Sequence, residues 1–259
     1  MGTAKTQGDL WSVAASDWAL FQEPMHDPLF EAMLNAANVG KSTNLLDAGC
    51  GGGSASILAS ERGAQVSGLD AAEGLIKVAR ERVPEGDFRV GDIQELPYAD
   101  NQFDAVIAPN SLQYAEDTVT ALRELRRVCK ANGRVVIGLF AEAEKVEFRH
   151  IFKAMAGTLP ESPKGGGPFA LSAHGILETL VEEAGLNVID VNHVDCPFEY
   201  PDFETFWRGN VAAGPSQSII RVVGADKLKS ALQRAVEPYL TTKGPIEIGP
   251  NYFKYIVAI

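Results

Sequence analysis

Short apolar runs alternate with amphipathic helical patterns along most of the chain. Residues 103–108 are nearly all apolar, as a strand buried on both faces is. In the helical stretches apolar residues recur three and four positions apart, as at Leu75, Val78 and Ala79. Strands that alternate with helices in this way predict a doubly wound parallel α/β sheet, which binds ligands at the carboxyl ends of its strands. The predicted strands are 44–46, 65–69, 87–90, 103–108, 133–140, 187–195 and 252–259, and the main predicted helices are 54–62, 72–82, 117–129 and 173–184.

Charge and cysteine content narrow the class of protein. The net charge of -11 predicts a surface that phosphate backbones and anionic membranes repel, which disfavours nucleic-acid substrates. Residues 1–10 lack the apolar core of a signal peptide, and no run reaches the roughly 18 apolar residues of a membrane span. Cys50, Cys129 and Cys196 form no C-x-x-C pair, which indicates a reducing compartment and no zinc site. We therefore expect a cytoplasmic monomer or homodimer without a metal and without nucleic acid or a membrane as partner.

A glycine turn at residues 47–53, Asp-Ala-Gly-Cys-Gly-Gly-Gly, lies between a predicted strand and a predicted helix. Its alternate glycines let the backbone turn tightly and approach a ligand, and the helix that follows points free N–H groups at the same place. A dinucleotide fingerprint, G-x-G-x-x-G, holds a pyrophosphate there. Here Asp47 would repel a pyrophosphate, and Ser54 stands where the third fingerprint glycine falls. The turn therefore suits a ligand with a cationic group, unless it is an ordinary strand-to-helix loop.

The pattern resembles motif I of the class I S-adenosylmethionine (SAM) dependent methyltransferases, in the small-molecule branch that is similar to ubiquinone-biosynthesis enzymes. Their ligand carries an ammonium and a sulfonium and no phosphate. The resemblance covers roughly residues 35–185, with a family motif at each matching element. It implies SAM as cofactor, S-adenosylhomocysteine (SAH) as product and a small, partly apolar metabolite as methyl acceptor. Two other functions stay open, an NAD(P)-dependent oxidoreductase and a non-catalytic SAM-binding module.

The resemblance also implies the architecture, a Rossmann-like sheet of seven strands whose last strand inserts antiparallel beside strand five, with helical cap insertions. An apolar stripe from Trp11 to Gln22 predicts one amphipathic helix that folds over the cofactor as a lid, although such a stripe also suits plain packing. Residues 165–167, all glycine, are a hinge or a solvent loop. The predicted segments are an N-terminal helical lid (1–34), the SAM-binding core (35–140), a cap insertion (141–172), the continued core (173–199), a second cap insertion (200–250) and the final core strand (251–259).

The resemblance places cofactor-binding residues at the ends of the first four strands. Asp70 would accept both ribose hydroxyls, although an acid there also serves an NAD-binding fold and suits a helix N-cap. Asp92 would accept from the adenine amine and the Ile93 N–H would donate to the ring, although an aspartate also favours turns. Asn110 would offer its backbone carbonyl to the cofactor ammonium. The full predicted set is Asp47, Gly49, Cys50, Gly51, Gly53, Asp70, Ala71, Asp92, Ile93 and Asn110, with Trp18 and Gln22 from the lid.

The catalytic residue stays open. Holding an acceptor atom about 3 to 3.5 Å from an activated methyl in a dry site contributes ~7 to 11 kcal/mol, so an amine or thiol needs no base. A hydroxyl or carbon acceptor usually needs one. His26, His150 and His174 are the imidazoles in lid-like regions, and Tyr114 faces cofactor or substrate, but each has an ordinary packing or surface role as its alternative. Aromatic residues of the cap insertions are expected to line an apolar acceptor pocket.

Overall fold

The computed structural model of this chain describes residues 3–161, 167–242 and 244–259. Its strands are β1 (Asn44–Ala48), β2 (Gln65–Asp70), β3 (Asp87–Val90), β4 (Phe103–Pro109), β5 (Cys129–Phe140), β6 (Val188–Asp195), β7 (Phe198–Tyr200), β8 (Ile246–Ile248) and β9 (Tyr252–Ala258). Its α-helices are α1 (Ala4–Trp11), α2 (Ala15–Asp17), α3 (Asp27–Ala36), α4 (Ser54–Glu61), α5 (Glu73–Arg82), α6 (Thr118–Val128), α7 (Arg149–Ala156), α8 (Ile176–Glu183), α9 (Phe203–Val211), α10 (Gly214–Val223) and α11 (Ala225–Val236).

Seven strands form one mixed sheet in the order β3-β2-β1-β4-β5-β9-β6. The first five strands pair in parallel, and β9 lies antiparallel between β5 and β6. The predicted doubly wound sheet with an antiparallel last strand is therefore confirmed. Strand order reverses between β1 and β4, and a sheet of this kind binds ligands outside the carboxyl ends of the strands at that point.

The apolar runs bury both faces of the sheet. Leu45 and Leu46 are neighbours in β1, and because strand side chains alternate they pack into two different clusters, one on each face. Both side chains are fully buried. Helix α3 packs against β4 and β5 on the face that contains Leu45. Helix α6 packs against β5 on the opposite face, in the cluster that contains Leu46. The rigid sheet fixes the positions of the loops at its carboxyl edge.

The amino-terminal segment is not the single amphipathic helix that the stripe predicts. The broken segment that replaces this helix forms part of the wall of the candidate site. Helix α1 ends at Trp11, and after the short α2 the chain forms a π-helical turn, Trp18–Gln22, and a 3-10 turn, Glu23–His26. The first break follows Trp11, where the Ser12 hydroxyl accepts from the Gly74 amide at 3.1 Å and holds the chain against α5. Further on, Pro24 lacks the N–H that would continue an α-helix past the π-helical turn.

The second cap region contains the predicted helical structure, α9 to α11, and also two short strands that the sequence did not predict. The strands β7 and β8 pair antiparallel in a separate two-stranded sheet, which brackets helices α9 to α11. Each strand has three residues, too few for periodicity to indicate a strand. The hinge predicted at residues 165–167 falls mostly outside the described residues. None of the helices in the described ranges has the length and apolarity of a membrane span.

Candidate functional site

The glycine turn after β1 has the left-handed backbone that its glycines allow. Gly49, Gly51 and Gly53 have φ of +83°, +55° and +89°. The Gly49 amide donates to the Leu69 carbonyl at 2.7 Å, which ties the turn to the end of β2. A Cβ atom at Gly49 would lie 2.3 Å from the Ser111 Cβ atom. The close approach of the loop after β4 therefore requires glycine at position 49, in addition to its φ.

Asp70 joins the glycine turn to the next helix. Its Oδ2 atom accepts from the Gly51 amide at 2.9 Å, and its Oδ1 atom accepts from the Ala72 amide at 2.8 Å. The second bond is an Asx-turn rather than a helix cap, since α5 has no side-chain cap. Burial is the main cause that raises the pKa of Asp70, and these two amides oppose it. Each carboxylate oxygen keeps a lone pair for a ligand hydroxyl.

A cavity lies between this turn, the ends of β2 to β4 and the amino-terminal segment. It is the crevice that the reversal of strand order predicts. The structure brings eleven of the residues singled out in the sequence into its lining: Trp18, His26, Gly49, Cys50, Gly51, Asp70, Ala71, Asp92, Ile93, Asn110 and Tyr114.

Asp47 and Gly53 lie behind the cavity and do not line it. Asp47 is fully buried, and its Oδ2 atom accepts from the Ser56 hydroxyl at 2.8 Å. Its Oδ1 atom has no hydrogen-bond partner among the described residues. Burial raises the pKa of Asp47 to about 7. Gly53 precedes α4, where a Cβ atom would lie 3.2 Å from the Ala79 Cβ atom, so its observed role is packing.

A second cavity adjoins the first and shares part of its wall. Its own lining is mostly apolar, with Phe140, Phe148, Phe152 and Phe198. Gln22 lines this cavity rather than the first, and its Oε1 atom accepts from the buried Tyr200 hydroxyl at 2.8 Å. Five residues line both cavities, namely Trp11, Trp18, His26, Asn110 and Tyr114.

The other two histidines singled out in the sequence lie in neither cavity. His150 is half exposed, with its Nε2 atom 3.7 Å from Glu147, and His174 is exposed. His26 is the one of the three that the fold buries at the site. Across the described residues, no three His, Cys, Asp or Glu side chains are grouped as a metal site requires.

Sequence reasoning missed Glu23, which fastens the amino-terminal segment to the glycine turn. Its Oε1 atom accepts from the Gly52 amide and from Trp18 Nε1, the latter at 3.0 Å. Its Oε2 atom accepts from the Ser54 hydroxyl at 2.8 Å and lies 3.2 Å from Arg82 Nη1. Burial raises the pKa of Glu23, and these donors and the guanidinium oppose the shift. The only sequence signal was a glutamate directly after the apolar stripe.

The position of Glu23 changes which ligand the turn admits. Its carboxylate sits at the N-terminus of α4, where the free amides and the helix dipole favour an anion. In a dinucleotide-binding fold that place holds the pyrophosphate. A second anion there would meet both the Glu23 carboxylate and the Asp47 carboxylate behind the turn.

Residues 46–137 match the model of a protein family described as a methyltransferase domain. The chain is 32% identical over 158 residues to a malonyl-[acyl-carrier protein] O-methyltransferase of Erwinia pyrifoliae, covering 58% of this chain and 60% of that protein. It is 33% identical over 120 residues to a demethylmenaquinone methyltransferase of Renibacterium salmoninarum, covering 46% and 51%. The chain thus spans roughly half to three fifths of the length of these curated relatives.

Solved structures share the fold. The YcgJ protein from Bacillus subtilis has a TM-score of 0.59 at 20% identity, over 89% of this chain and 97% of that one. The [4+2]-cyclase SpnF has a TM-score of 0.59 at 22% identity, over 90% and 80%. At such identities the likeness shows fold alone. The family match makes residues 46–137 similar to a methyltransferase domain, and the observed strand order is the one that the resemblance to class I S-adenosylmethionine-dependent methyltransferases implies.

Proposed function

We propose that this chain transfers a methyl group from SAM to a small, partly apolar metabolite. The observation that carries the proposal is the pair of adjoining cavities. One lies against the glycine turn, and the other has mostly apolar walls and shares His26, Asn110 and Tyr114 with it. A cofactor in the first cavity would present its reactive end to an acceptor in the second at this shared wall.

The residues of the first cavity fit SAM. Asp70 would accept from the two ribose hydroxyls with the lone pairs that the Gly51 and Ala72 amides leave free. Asp92 accepts from the Gln94 amide at 2.9 Å, which holds its carboxylate at the cavity wall, where it would accept from the adenine amine. The Ile93 amide would donate to the same ring.

The cationic end of SAM fits the charges around the glycine turn. Asn110 has a φ of +51°, an uncommon conformation for a residue other than glycine. Its backbone N–H donates to the Gly138 carbonyl at 2.6 Å. Its carbonyl would accept from the ammonium. Behind the turn, the buried Asp47 carboxylate would favour a nearby cation, and the cation would in turn favour ionised Asp47.

When bound, SAM supplies a methyl group that its positive sulfur already activates. The chain then has to orient the acceptor and exclude water. Trp11 packs edge-to-face on Trp18 with ring centroids 4.7 Å apart, and on Tyr114 at 5.7 Å. These rings form part of the shared wall, and the Glu23 contacts hold their segment in place. An acceptor enclosed there would lose its water shell on the side that faces the methyl.

Two observations favour this function over the alternatives. The Glu23 carboxylate takes the place of a pyrophosphate at the start of α4, which argues against an NAD(P)-dependent oxidoreductase. The second cavity argues against a module that binds SAM without catalysis, because binding alone does not need an acceptor site. The three cysteines are free and buried, which supports our proposal of a reducing, cytoplasmic setting.

The test is methyl transfer from SAM that carries a tritiated methyl group, incubated with a whole-cell extract that contains metabolites, protein and nucleic acid. We expect label in molecules that pass into organic solvent, and none with Asp70→Ala. Label in protein or nucleic acid would contradict a small acceptor. Binding of SAH without any transfer would favour the non-catalytic module.

A further inference from the structure

His26 lies where the two cavities meet and is almost fully buried, at 4% exposure. Its ring packs against Phe198 and Phe253, with centroids 5.3 Å from each. It also stacks on Phe30 at 6.1 Å. These contacts fix the plane of the imidazole, so its two nitrogen atoms have defined directions.

The hydrogen bonds of His26 determine which nitrogen carries the proton. Its Nδ1 atom lies 3.1 Å from the Gln22 carbonyl oxygen and 3.3 Å from the Glu23 carbonyl oxygen. A carbonyl oxygen only accepts, so Nδ1 carries the hydrogen and Nε2 carries the lone pair. Within the described part of the chain, Nε2 has no hydrogen-bond partner. The fold therefore holds a free proton acceptor at the wall between cofactor and acceptor cavities.

A second polar group in the acceptor cavity also lacks a partner. Ser216 lines this cavity and is 1% exposed, and its hydroxyl has no hydrogen bond among the described residues. A buried polar group without a partner is costly, so a ligand that bonds to it gains affinity. The remaining walls are largely phenylalanine rings, among them Phe140 and Phe148, which favour a flat aromatic ligand.

We propose that His26 is the general base for a hydroxyl on an aromatic acceptor, and that the chain is therefore an O-methyltransferase of aromatic hydroxy compounds. This inference rests on the proposed function and adds the acceptor class to it. The acceptor would donate its O–H to Nε2 of His26, while its ring lies among the phenylalanines and a second polar group reaches Ser216.

In the reaction the hydroxyl proton moves to His26 Nε2. The acceptor oxygen forms a bond to the methyl carbon as the carbon–sulfur bond breaks, and that electron pair stays on sulfur. The imidazolium then releases its proton to water. Burial disfavours the charged imidazolium and lowers the pKa of His26 to about 4, so the ring is neutral at neutral pH and its Nε2 lone pair is free to accept a proton.

The test compares two matched probes, 2-naphthol and 2-naphthalenethiol, in the wild-type protein and in His26→Asn. The asparagine amide keeps the donor that bonds to the Gln22 carbonyl and lacks the second nitrogen. An aromatic thiol is largely ionised above neutral pH and needs no base. His150→Asn, at an exposed site, is the control for the substitution itself.

We expect His26→Asn to lower kcat for 2-naphthol by at least about 100-fold and to leave kcat for the thiol within about threefold of wild type. The dissociation constant of SAH by calorimetry, and that of 2-naphthol for the SAH complex by fluorescence, should change less than about threefold, and His150→Asn should match wild type in every measurement. Equal losses for both probes, or no loss for 2-naphthol, would overturn the base role. SAH binding without binding or methylation of either probe would overturn the aromatic acceptor alone. Absence of SAH binding would remove the proposed function itself.

Discussion

The Glu23 carboxylate accepts a hydrogen bond from the Gly52 amide, 29 residues further along the chain. This contact and the neighbouring bonds from Ser54 and Arg82 make the amino-terminal segment part of the cofactor site rather than a separate cover. A carboxylate at the start of α4 also sets the charge that an incoming ligand meets.

Glu23→Ala is expected to destabilise the protein by roughly 2 to 4 kcal/mol, because it leaves the Gly52 amide and the Ser54 hydroxyl without their acceptor and the Arg82 guanidinium without its counter-ion. Urea unfolding measures the change. Glu31→Ala is the matched control, since Glu31 pairs with Arg62 at the surface and such pairs contribute about 0 to 1 kcal/mol. Equal losses in the two variants would show that the Glu23 network does not hold the segment.

Asp47→Asn is expected to stabilise the cofactor-free protein above neutral pH. Burial raises the pKa of Asp47 from 3.8 to about 7, so between those values the folded chain keeps a proton that the unfolded chain has released. The free energy of unfolding therefore falls as pH rises through this window, and the full penalty is present above the folded pKa. Asparagine carries no charge and so removes this penalty. At about 1.4 kcal/mol per pKa unit, the free energy of unfolding should rise by roughly 1 to 4 kcal/mol.

Urea unfolding of wild type and Asp47→Asn on both sides of the window checks this sign. The two proteins should have similar stability near the lower pH limit and differ near the upper one. The same variant should bind SAH less tightly, because it removes the negative charge behind the turn. A variant that binds SAH as tightly as wild type would refute the charge role of Asp47.

Gly49→Ala is expected to weaken SAH binding by at least about 100-fold. Its φ is +83°, which costs roughly 1 to 2 kcal/mol with a side chain, and the new Cβ atom would also collide with Ser111. Gly175→Ala separates these effects, since Gly175 has a φ of +80° and no atom within 4 Å of the added Cβ. We expect a similar backbone cost and unchanged SAH affinity there. Loss of affinity in both variants would indicate general destabilisation.

Asp70→Asn is expected to weaken SAH binding by roughly 10- to 100-fold, because hydrogen bonds to a charged group contribute about 1.5 to 3 kcal/mol each. The amide oxygen can keep one of the two backbone bonds that Asp70 now accepts. Asp117→Asn, which changes an exposed helix cap outside the cavities, should leave the affinity unchanged. Calorimetric titration distinguishes the two, and equal affinities would remove Asp70 from the ribose site.

The sequence predicted the sheet and the glycine turn because their signals are local. An apolar run such as the one at Leu45 and Leu46 indicates a strand that is buried on both faces. The glycines that follow this strand directly in the sequence indicate a turn with positive φ. The placement of Asp70 and Asp92 at one crevice follows from strand order, which parallel topology constrains.

The rest depends on contacts between distant parts of the chain. Glu23 finds Gly52 and Arg82 only after folding, and no local pattern marks it as their partner. His26 was one of three candidate imidazoles in the sequence, and only tertiary packing separates the buried ring from the half-exposed His150. The break in the amino-terminal helix came from contacts as well, because the Ser12 hydroxyl bonds to α5.

Calorimetric titration of the purified protein with SAH and, in parallel, with NAD distinguishes a SAM site from a dinucleotide site. We predict one site for SAH with a micromolar dissociation constant and no heat of binding for NAD, since the Glu23 carboxylate lies where a pyrophosphate would bind and Asp47 lies buried behind the turn. Binding of NAD, or of neither ligand, would contradict a SAM site at the glycine turn.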